Sequence, residues 1–365
     1  MIYENLIRPI LFKFDAEIIH DFTINFGNKI SNYSFAKLFI KNVYYYENEK
    51  LNIDLFNIHF KNPLGLAAGL DKNALLTQII PYFGFGFMEV GSITANKYLG
   101  NPKPRLFRLI KDQALLVRYG LKNDGALKIS RYLKNKRFLI PLGISIAKTN
   151  DKKIIKEKAI KDYCASFKLF SNIGDYTTIN ISCPNTPDGT TFCQDSLALE
   201  KLLKNINKLE TKNPTLLKIS PEINREQLIK IIKLSKKYKI KGLIISNLTK
   251  NKDKLKLKTN KEILNSYGDG GISGKPIQKI SNKLIKETYI LSKGKIPIIG
   301  CGGIFNAKDA YEKIKLGSSL LQLLTGLIYE GPMIIKNINK GLVSLMEKDK
   351  FENLNEVIGY NVKRI

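Results

Sequence analysis

Eight short β-rich runs, each followed by a stretch long enough for a helix, dominate the sequence from residue 63 onward. Most runs are almost continuously apolar, as expected of parallel strands that are buried on both faces. Eight such units in series predict an α/β fold, a closed (β/α)8 TIM barrel, with a doubly wound open sheet as the alternative. The runs are Leu64–Ala68, Gly86–Gly91, Phe138–Ala147, Tyr176–Ser182, Thr215–Ser220, Lys241–Asn247, Ile296–Cys301 and Ser319–Thr325.

The first 62 residues do not belong to this series. Ile2–Phe12 and Ala16–Lys29 carry apolar residues at helical spacing, with Asp15 as the expected N-cap of the second helix, and Phe35–Val43 indicates a third. Leu51–Asn62 alternates like a hairpin that could close the lower end of the barrel. We therefore predict an N-terminal helical extension, a barrel domain and a C-terminal tail. Their bounds are 1–50, 51–350 and 351–365.

The chain carries 60 basic and 32 acidic residues, a net charge of +28. Only eight of the basic residues are arginines and they are spread along the chain, whereas nucleic-acid-binding proteins favour arginine and local clusters. We therefore predict no nucleic-acid partner and assign the charge to solvated surfaces, with weak attraction to anionic membranes as a second contribution. No apolar run approaches the roughly 18 residues of a membrane span, and no signal peptide is indicated.

Four cysteines stand at positions 164, 183, 193 and 301, without a CxxC pair and far from the two histidines. This spacing predicts no zinc or iron–sulfur site, and a reducing, cytosolic environment is expected. Three of the cysteines are interpreted as small core residues. Cys183 instead follows a strand in a polar, proline-containing loop. Because no histidine partner is visible, its thiol is a better candidate for a base that acts on a carbon acid than for a nucleophile.

Catalytic residues of barrels lie at the carboxyl ends of the strands, so the residues that follow each run are candidates. Lys72 follows the first run, and Asn247 ends the sixth. Asn180 lies near the end of the fourth run, and Asn185 follows that run. Lys218 lies within an otherwise apolar strand, where a buried ammonium is unfavourable unless it meets an anion. This pattern predicts a site for an anionic ligand at the barrel mouth.

Glycine-rich segments accompany the last two strands, at 268–276 (GDGGISGKP) and 298–304 (IIGCGGI). Backbone N–H groups at these places often bind a phosphate group. Each segment alone is equally compatible with a tight loop, which needs glycine for steric reasons. Together they favour a phosphorylated ligand.

Five segments together resemble the dihydroorotate dehydrogenases: KNPLGLAAGLDKN, KPRLFRL, NISCPNTP, GGISGKP and PIIGCGGI. The similarity runs from about residue 8 to 336, and LFKFDAEIIHDFT (11–23) resembles the N-terminal extension of the quinone-linked class 2 branch. The resemblance implies an FMN flavoprotein that oxidises (S)-dihydroorotate to orotate in pyrimidine (UMP) biosynthesis. It also implies a membrane quinone as electron acceptor and a peripheral position at the cytoplasmic face of the cell membrane.

The resemblance also implies roles for individual residues, by their position in the motifs, with Cys183 as the catalytic base. His20 and Arg108 fall where the class 2 quinone tunnel has polar residues. The substrate would be bound by Lys72, Arg118, Tyr119, Gly120, Leu121, Asn180, Asn185, Asn247 and Leu248. The flavin would be bound by Ala68, Gly69, Leu70, Asp71, Lys72, Ser92, Ser145, Asn180, Lys218, Ser246, Gly274, Gly303, Leu324 and Thr325.

Several positions depart from the family pattern. Cys183 stands where class 2 members usually have serine, Val117 where a substrate-binding asparagine is usual, and Leu248 where a threonine is usual. Leu121, Ser145 and Leu324 are further departures. They leave open a related FMN oxidoreductase that acts on another dihydropyrimidine or a different cyclic substrate. A non-catalytic polyanion-binding barrel, suggested only by the charge, is disfavoured by the complete set of candidate catalytic residues.

The N-terminal helices have two interpretations. They could simply pack on the side of the barrel, or their apolar faces could enter the membrane surface and admit a quinone. Because the barrel begins at residue 63, removal of residues 1–43 is expected to leave flavin reduction by the substrate largely intact and to impair electron transfer to a long-tailed quinone.

Overall fold

The computed structural model describes residues 2–186 and 190–363. Its strands are β1 (Ile53–Leu55), β2 (Ile58–Phe60), β3 (Leu64–Leu66), β4 (Phe87–Ile93), β5 (Leu106–Leu109), β6 (Ala114–Val117), β7 (Leu142–Ile146), β8 (Tyr176–Asn180), β9 (Thr215–Ile219), β10 (Gly242–Ile245), β11 (Gly271–Gly274), β12 (Ile298–Cys301) and β13 (Leu320–Leu323).

Eight of these strands form a closed parallel barrel in the order β3-β4-β7-β8-β9-β10-β12-β13, with β13 pairing β3. The closed barrel confirms the (β/α)8 prediction and excludes the open sheet. Each of the eight apolar runs supplies one barrel strand, and nearly all of the strand residues are buried. This burial is what parallel strands covered on both faces require.

Helices connect the barrel strands and form the outer layer. The helices are α1 (Arg8–Leu11), α2 (Ala16–Ile30), α3 (Ser34–Tyr44), α4 (Ala126–Leu133), α5 (Lys156–Phe170), α6 (Thr191–Gln194), α7 (Ser196–Ile206), α8 (Arg225–Lys237), α9 (Lys261–Ser266), α10 (Gln278–Ser292), α11 (Ala307–Lys315), α12 (Thr325–Glu330), α13 (Met333–Lys348), α14 (Leu354–Val357) and α15 (Tyr360–Lys363). A π-helical turn, Tyr3–Ile7, precedes α1.

The lower part of the barrel is filled by aromatic rings from inward-facing strand positions. Phe87 and Tyr176 lie with their ring centres 6.5 Å apart. Gly65 and Gly143 face these two rings, and a Cβ atom at either glycine would overlap the ring beside it. The large and small residues of neighbouring strands therefore complement one another, and the barrel interior is packed below the site.

The N-terminal extension begins with helices that match the predicted ones closely. Asp15 caps α2, because its carboxylate accepts hydrogen bonds from the N–H groups of Glu17 and Ile18. α3 follows, and β1 pairs with β2 as the predicted hairpin. Of the described helices, none combines the length and apolar character that crossing a bilayer requires.

The two long connections, after β4 and after β10, meet in a small antiparallel sheet that the sequence did not predict. β5 pairs with β6, and β6 pairs with β11 from the far end of the chain. The loop that leads to β11 is held further by Asp112, whose carboxylate accepts hydrogen bonds from Lys258 and Thr259. This sheet covers one side of the barrel mouth.

Candidate active site

A deep cavity opens at the carboxyl ends of the barrel strands, where barrel enzymes have their catalytic residues. Together with the open solvent at its mouth, it encloses about 1250 Å³ that no protein atom fills. Its wall combines strand ends of the barrel with the β5–β6 hairpin and α2 of the N-terminal extension.

Most residues assigned from the resemblance line this cavity, so the fold brings together positions as far apart as 20 and 325. The lining residues from the assigned sets are His20, Ala68, Gly69, Leu70, Lys72, Ser92, Tyr119, Gly120, Leu121, Asn180, Cys183, Asn185, Lys218, Ser246, Asn247, Leu248, Gly274, Gly303, Leu324 and Thr325. Their common location makes one continuous site geometrically feasible, while their individual roles stay predictions.

Four assigned residues, Asp71, Arg108, Arg118 and Ser145, do not line the cavity. The buried Asp71 carboxylate accepts two backbone hydrogen bonds and shapes the loop after β3. Arg118 donates to a backbone carbonyl of the long loop after β10, at 3.0 Å. The Ser145 hydroxyl lies 2.8 Å from that of Ser92, which does line the cavity. The side chains of these residues therefore support the wall rather than form it.

Cys183 lies just beyond β8, and its side chain is buried at the cavity wall. Burial raises the pKa of the thiol, although hydrogen bonds from Asn185 and Thr186 and the charges of two lysines act in the opposite direction. The free protein therefore holds this group mainly as a thiol at neutral pH. Pro187, at the end of the same motif, lies outside the described residues.

A chain of buried hydrogen bonds fixes the polar side of the cavity. Asn180 Nδ2 donates to Ser92 Oγ at 2.8 Å, and Ser92 in turn contacts Ser145. Asn247 Nδ2 donates to Asn180 Oδ1 at 3.2 Å and to the Ser182 carbonyl at 2.9 Å. Because these side chains hold one another, the cavity presents a fixed pattern of donors and acceptors to a ligand.

Lys218 enters the cavity from β9, in register with Asn180 of β8. It is only 5% exposed, and its ammonium makes no hydrogen bond within the part of the chain that the structure describes. Such a group is unfavourable unless a ligand brings negative charge to it. Cys301, interpreted from the sequence as a core residue, also lines the cavity.

Glycine is required sterically at two positions of the cavity wall. Gly274 has φ +99° and Gly303 has φ +74°, and at either one a Cβ atom would overlap neighbouring residues. The Gly303 N–H group donates to no acceptor within the described residues. This open donor at a glycine turn is the feature expected of a phosphate-binding loop.

The cavity continues into an apolar part that faces the N-terminal extension. Phe12 packs against this part, and the Arg108 guanidinium lies 4.6 Å from the centre of the Phe12 ring. Arg108 also donates to the Phe14 carbonyl at 2.7 Å. The residues that line this part are Leu106, Val117, Leu324 and Ile328. An apolar path with the Arg108 guanidinium behind its wall suits a ligand with an apolar body and a polar head.

At the boundary between the polar and apolar parts, three side chains meet. Lys72 Nζ lies 3.2 Å from His20 Nε2 and 4.2 Å from the centre of the Tyr119 ring. Burial, with a smaller contribution from the charge of Lys122, lowers the pKa of Lys72 to about 8. Burial also raises the pKa of Tyr119, whose buried hydroxyl has no hydrogen-bond partner within the described residues.

A buried ion pair, which no sequence pattern predicts, attaches α2 to the barrel. Nε of Arg105 donates to both carboxylate oxygens of Glu17, and Nη2 donates to one of them at 2.7 Å. Burial alone would raise the pKa of Glu17, but the hydrogen bond and charge of Arg105, with two nearby lysines, lower it below its usual value. Arg105 belongs to the KPRLFRL segment, but no spacing rule connects it with residue 17.

Comparison with known proteins identifies the family. The family model described as "Dihydroorotate dehydrogenase" matches residues 50–346. A protein of Trichodesmium erythraeum named "Dihydroorotate dehydrogenase (quinone)" is 39% identical, with 98% of each chain covered. One of the same name from Crocosphaera subtropica is 43% identical over 86% of this chain and 84% of its own.

A solved structure agrees with these relatives. The crystal structure of the Eimeria tenella enzyme in complex with ferulenol has 28% sequence identity and a TM-score of 0.81, with 96% of each chain covered. The match therefore includes the extension as well as the barrel. This chain belongs to the dihydroorotate dehydrogenase family.

Proposed function

We propose that this chain oxidises (S)-dihydroorotate to orotate in pyrimidine biosynthesis, with FMN as its resident cofactor and a membrane quinone as electron acceptor. The family membership supports the dehydrogenase activity, and the names of the relatives support the quinone. The observation that carries the proposal is the cavity, which combines a glycine turn with an open N–H donor, an unpaired lysine, a buried thiol and an apolar path in one space.

The cavity residues fit FMN. The Gly303 N–H group and the glycine turn at Gly274 would hold its phosphate, and the unpartnered Lys218 ammonium would lie near the ring. When bound, FMN supplies the two-electron acceptor of the reaction. Lys218 would then stabilise negative charge at that acceptor, which is what an ammonium in an apolar strand can do most strongly.

The substrate would bind beside Cys183. The Cys183 thiolate would take the proton from carbon 5 of dihydroorotate, and the bound FMN would supply the acceptor for the hydride of carbon 6. Asn180, Asn185 and Asn247 would orient the substrate ring by hydrogen bonds, since their amides are already held in place. Lys72 would pair with the substrate carboxylate, an anion that its buried ammonium lacks in the free protein.

The quinone would enter through the N-terminal extension, bordered by His20 and Arg108. Twelve of the 22 exposed large apolar side chains in the described residues lie before residue 40, among them Phe22, Phe35 and Phe39. A patch of this kind is typical of a surface that enters a lipid interface. We therefore propose that residues 1–50 form a peripheral membrane collar at the cytoplasmic face, on a catalytic domain of residues 51–350 with a tail of 351–365.

The test is anaerobic reduction of the purified flavoprotein. Denaturation should release FMN, and dihydroorotate should bleach the bound flavin, which a long-tailed quinone should then reoxidise. Release of FAD, or of no flavin after reconstitution with both flavins, would exclude the cofactor. A flavin that dihydroorotate leaves oxidised would exclude the substrate.

A second candidate is a related FMN oxidoreductase with another dihydropyrimidine or cyclic substrate. Val117 and Leu248 favour it, because both line the cavity with apolar side chains where the family usually has polar ones. A substrate polar group left unpaired there would cost about 1–3 kcal/mol of binding. Flavin bleaching by another dihydropyrimidine, with dihydroorotate inactive, would favour this candidate.

A further inference from the structure

One contact joins the N-terminal extension directly to the wall of the substrate site. His20 lies on α2, and its Nε2 atom is 3.2 Å from the Nζ atom of Lys72, a residue proposed to bind the substrate. The extension is proposed to serve the quinone, yet here it contacts a group that serves the other ligand. The two halves of the reaction therefore share a boundary at this pair.

We infer that His20 is a positioning residue for Lys72: its imidazole accepts a hydrogen bond from the Lys72 ammonium and holds that charge at the cavity wall, ready for the substrate carboxylate. This inference rests on the proposed function, because it concerns the substrate of that same site. It gives the N-terminal extension a part in flavin reduction, in addition to quinone access.

The surroundings of His20 determine which protonation state of its ring can accept a hydrogen bond from Lys72. Nδ1 lies 2.9 Å from Asp21 Oδ1, so a proton on Nδ1 leaves the Nε2 lone pair free for Lys72. The Leu70 carbonyl, 2.9 Å from Nε2, would instead favour a proton on that atom. A doubly protonated ring would satisfy Asp21 and Leu70 but repel Lys72. Positioning therefore requires the neutral ring with its proton on Nδ1.

The electrostatics of the pair favour a neutral ring near neutral pH, and the positive charge of Lys72 beside Nε2 favours a lone pair rather than a proton on that atom. Burial, followed by the charge of Lys72, lowers the pKa of His20 below its usual value, so the ring is neutral. Lys72, with a pKa of about 8, is then still mostly an ammonium. The other titratable groups that face the pair are Glu17 and Asp21 on α2, Asp71 after β3, and Tyr119 and Lys122 after β6.

The two possible roles of His20, in binding the quinone and in positioning Lys72, predict different effects of its substitution. If His20 served only the quinone, its loss would slow reoxidation of the flavin and leave reduction by dihydroorotate unchanged. If it positions Lys72, its loss weakens the substrate half of the reaction, which can be measured with no quinone present.

The experiment is anaerobic stopped-flow reduction of the FMN-loaded full chain by dihydroorotate. We expect His20→Ala to raise the apparent Kd for dihydroorotate about tenfold, the usual size of a lost hydrogen bond to a charged group. His20→Gln should recover part of the loss, because its amide oxygen can accept the same hydrogen bond. His59→Ala is the matched control, since the other histidine is exposed on β2 and paired with Asp54.

Two further measurements separate positioning from a general structural effect. A hydrogen bond to the ammonium favours the charged form, so His20→Ala should shift the alkaline limb of substrate binding from about pH 8 to lower pH. In a Lys72→Met background, His20→Ala should have no further effect on the apparent Kd, because the group on which it acts is gone.

The outcomes are distinguishable from a failure of the proposed function. If dihydroorotate does not reduce the wild-type flavin, the proposed function fails first. If the wild type is reduced and His20→Ala matches it in Kd and in pH profile, His20 does not position Lys72. The inference would also be overturned if the double variant raised the apparent Kd by the product of the two single-variant increases.

Discussion

At the residue scale, the two ionisable groups of the proposed substrate site have opposite pH requirements. The Cys183 sulfur must lose its proton to act as a base, and burial raises the pKa of that thiol. Lys72 must keep its proton to bind a carboxylate, and burial lowers its pKa to about 8. As pH rises, the thiolate is gained while the ammonium is lost, so only a fraction of the protein is in the active state at any pH.

We therefore predict a bell-shaped pH profile of kcat/KM for dihydroorotate. Because the pKa of the Cys183 thiol lies above that of Lys72, the state with a thiolate and an ammonium is a minor one. The ascending limb should then fall near pH 8, and the descending limb should reflect the thiol. In Lys72→Met, the descending limb should disappear from the residual activity, because no ammonium remains to be lost, and the ascending limb should move from near pH 8 up to the pKa of the thiol. A limb that stays unchanged in this variant would assign it to another group.

Substitutions of Cys183 test the base itself. Cys183→Ala should keep FMN bound and lower the rate of flavin reduction by roughly 10²–10⁴-fold, the usual contribution of a general base. Cys183→Ser should retain activity with its optimum at higher pH, because a hydroxyl is harder to deprotonate than a thiol. The measurement is anaerobic flavin bleaching over a pH series. Wild-type rates in the alanine variant would place the base elsewhere.

Individual residues differ in how far sequence reasoning could place them. Lys218 was predictable, because a lysine within an apolar strand is unfavourable unless it meets an anion, and the structure brings its buried side chain to the cavity. The location of Cys301 was not predictable, because a cysteine at a strand end has the same sequence context whether it faces the core or the cavity. Strand register, which sequence alone leaves open, decides between the two.

At the element scale, the strands of the barrel were predictable because each is a short apolar run bounded by polar residues and turns. The sheet of β5, β6 and β11 was not, because its partners come from residues 106–117 and 271–274. Pairing between such distant segments leaves no periodic signal in the chain. The same applies to the Glu17–Arg105 pair, which joins α2 to the segment before β5.

The buried pair is expected to control how firmly α2 docks. Glu17→Gln would leave the Arg105 guanidinium buried without its carboxylate, beside two lysines, which should cost about 3 kcal/mol or more. We predict a lower free energy of unfolding and faster amide hydrogen exchange in α2, measured by mass spectrometry on the FMN-loaded protein.

An exposed ion pair provides the matched control for this change. Glu47 lies 2.9 Å from Lys61, and both side chains are about half exposed. Glu47→Gln should therefore change the free energy of unfolding by less than about 1 kcal/mol and leave exchange in α2 as it is. If both variants behaved alike, the Glu17–Arg105 pair would not be what holds α2.

These contacts revise one expectation drawn from the sequence. Because the barrel closes without residues 1–43, the sequence suggests that their removal leaves flavin reduction by the substrate largely intact. Yet the segment carries His20, in contact with Lys72, and Glu17, in contact with Arg105. Its deletion should therefore weaken dihydroorotate binding as well as quinone reduction.

At the scale of the whole molecule, exposed apolar surface and positive charge are distributed differently. The exposed apolar side chains concentrate in the first 39 residues, whereas the lysines that give a net charge of +28 lie along the whole chain. An apolar face with surrounding positive charge is suited to a membrane that contains anionic lipids. The sequence indicated this face through helical spacing, and the structure shows that the barrel leaves it uncovered.

We predict that the full chain binds vesicles with anionic lipids, and that this binding weakens as salt screens the attraction. Replacing Phe22, Phe35 and Phe39 by serine should lower binding more than tenfold, because each exposed phenylalanine contributes up to about 2 kcal/mol when it enters lipid. The same variant should reduce a long-tailed quinone poorly and a short, water-soluble analogue at the wild-type rate. Vesicle co-sedimentation and steady-state assays with both quinones measure these effects.

The control variant replaces exposed apolar residues outside the extension, Leu139, Leu197 and Ile290, by serine. It removes a similar apolar area while the extension stays intact, so it should bind vesicles and reduce both quinones as the wild type does. Equal losses in the two variants would mean that apolar surface in general, rather than the extension, governs binding. Unchanged vesicle binding in the phenylalanine variant would support the alternative interpretation of the sequence, in which the N-terminal helices simply pack on the side of the barrel.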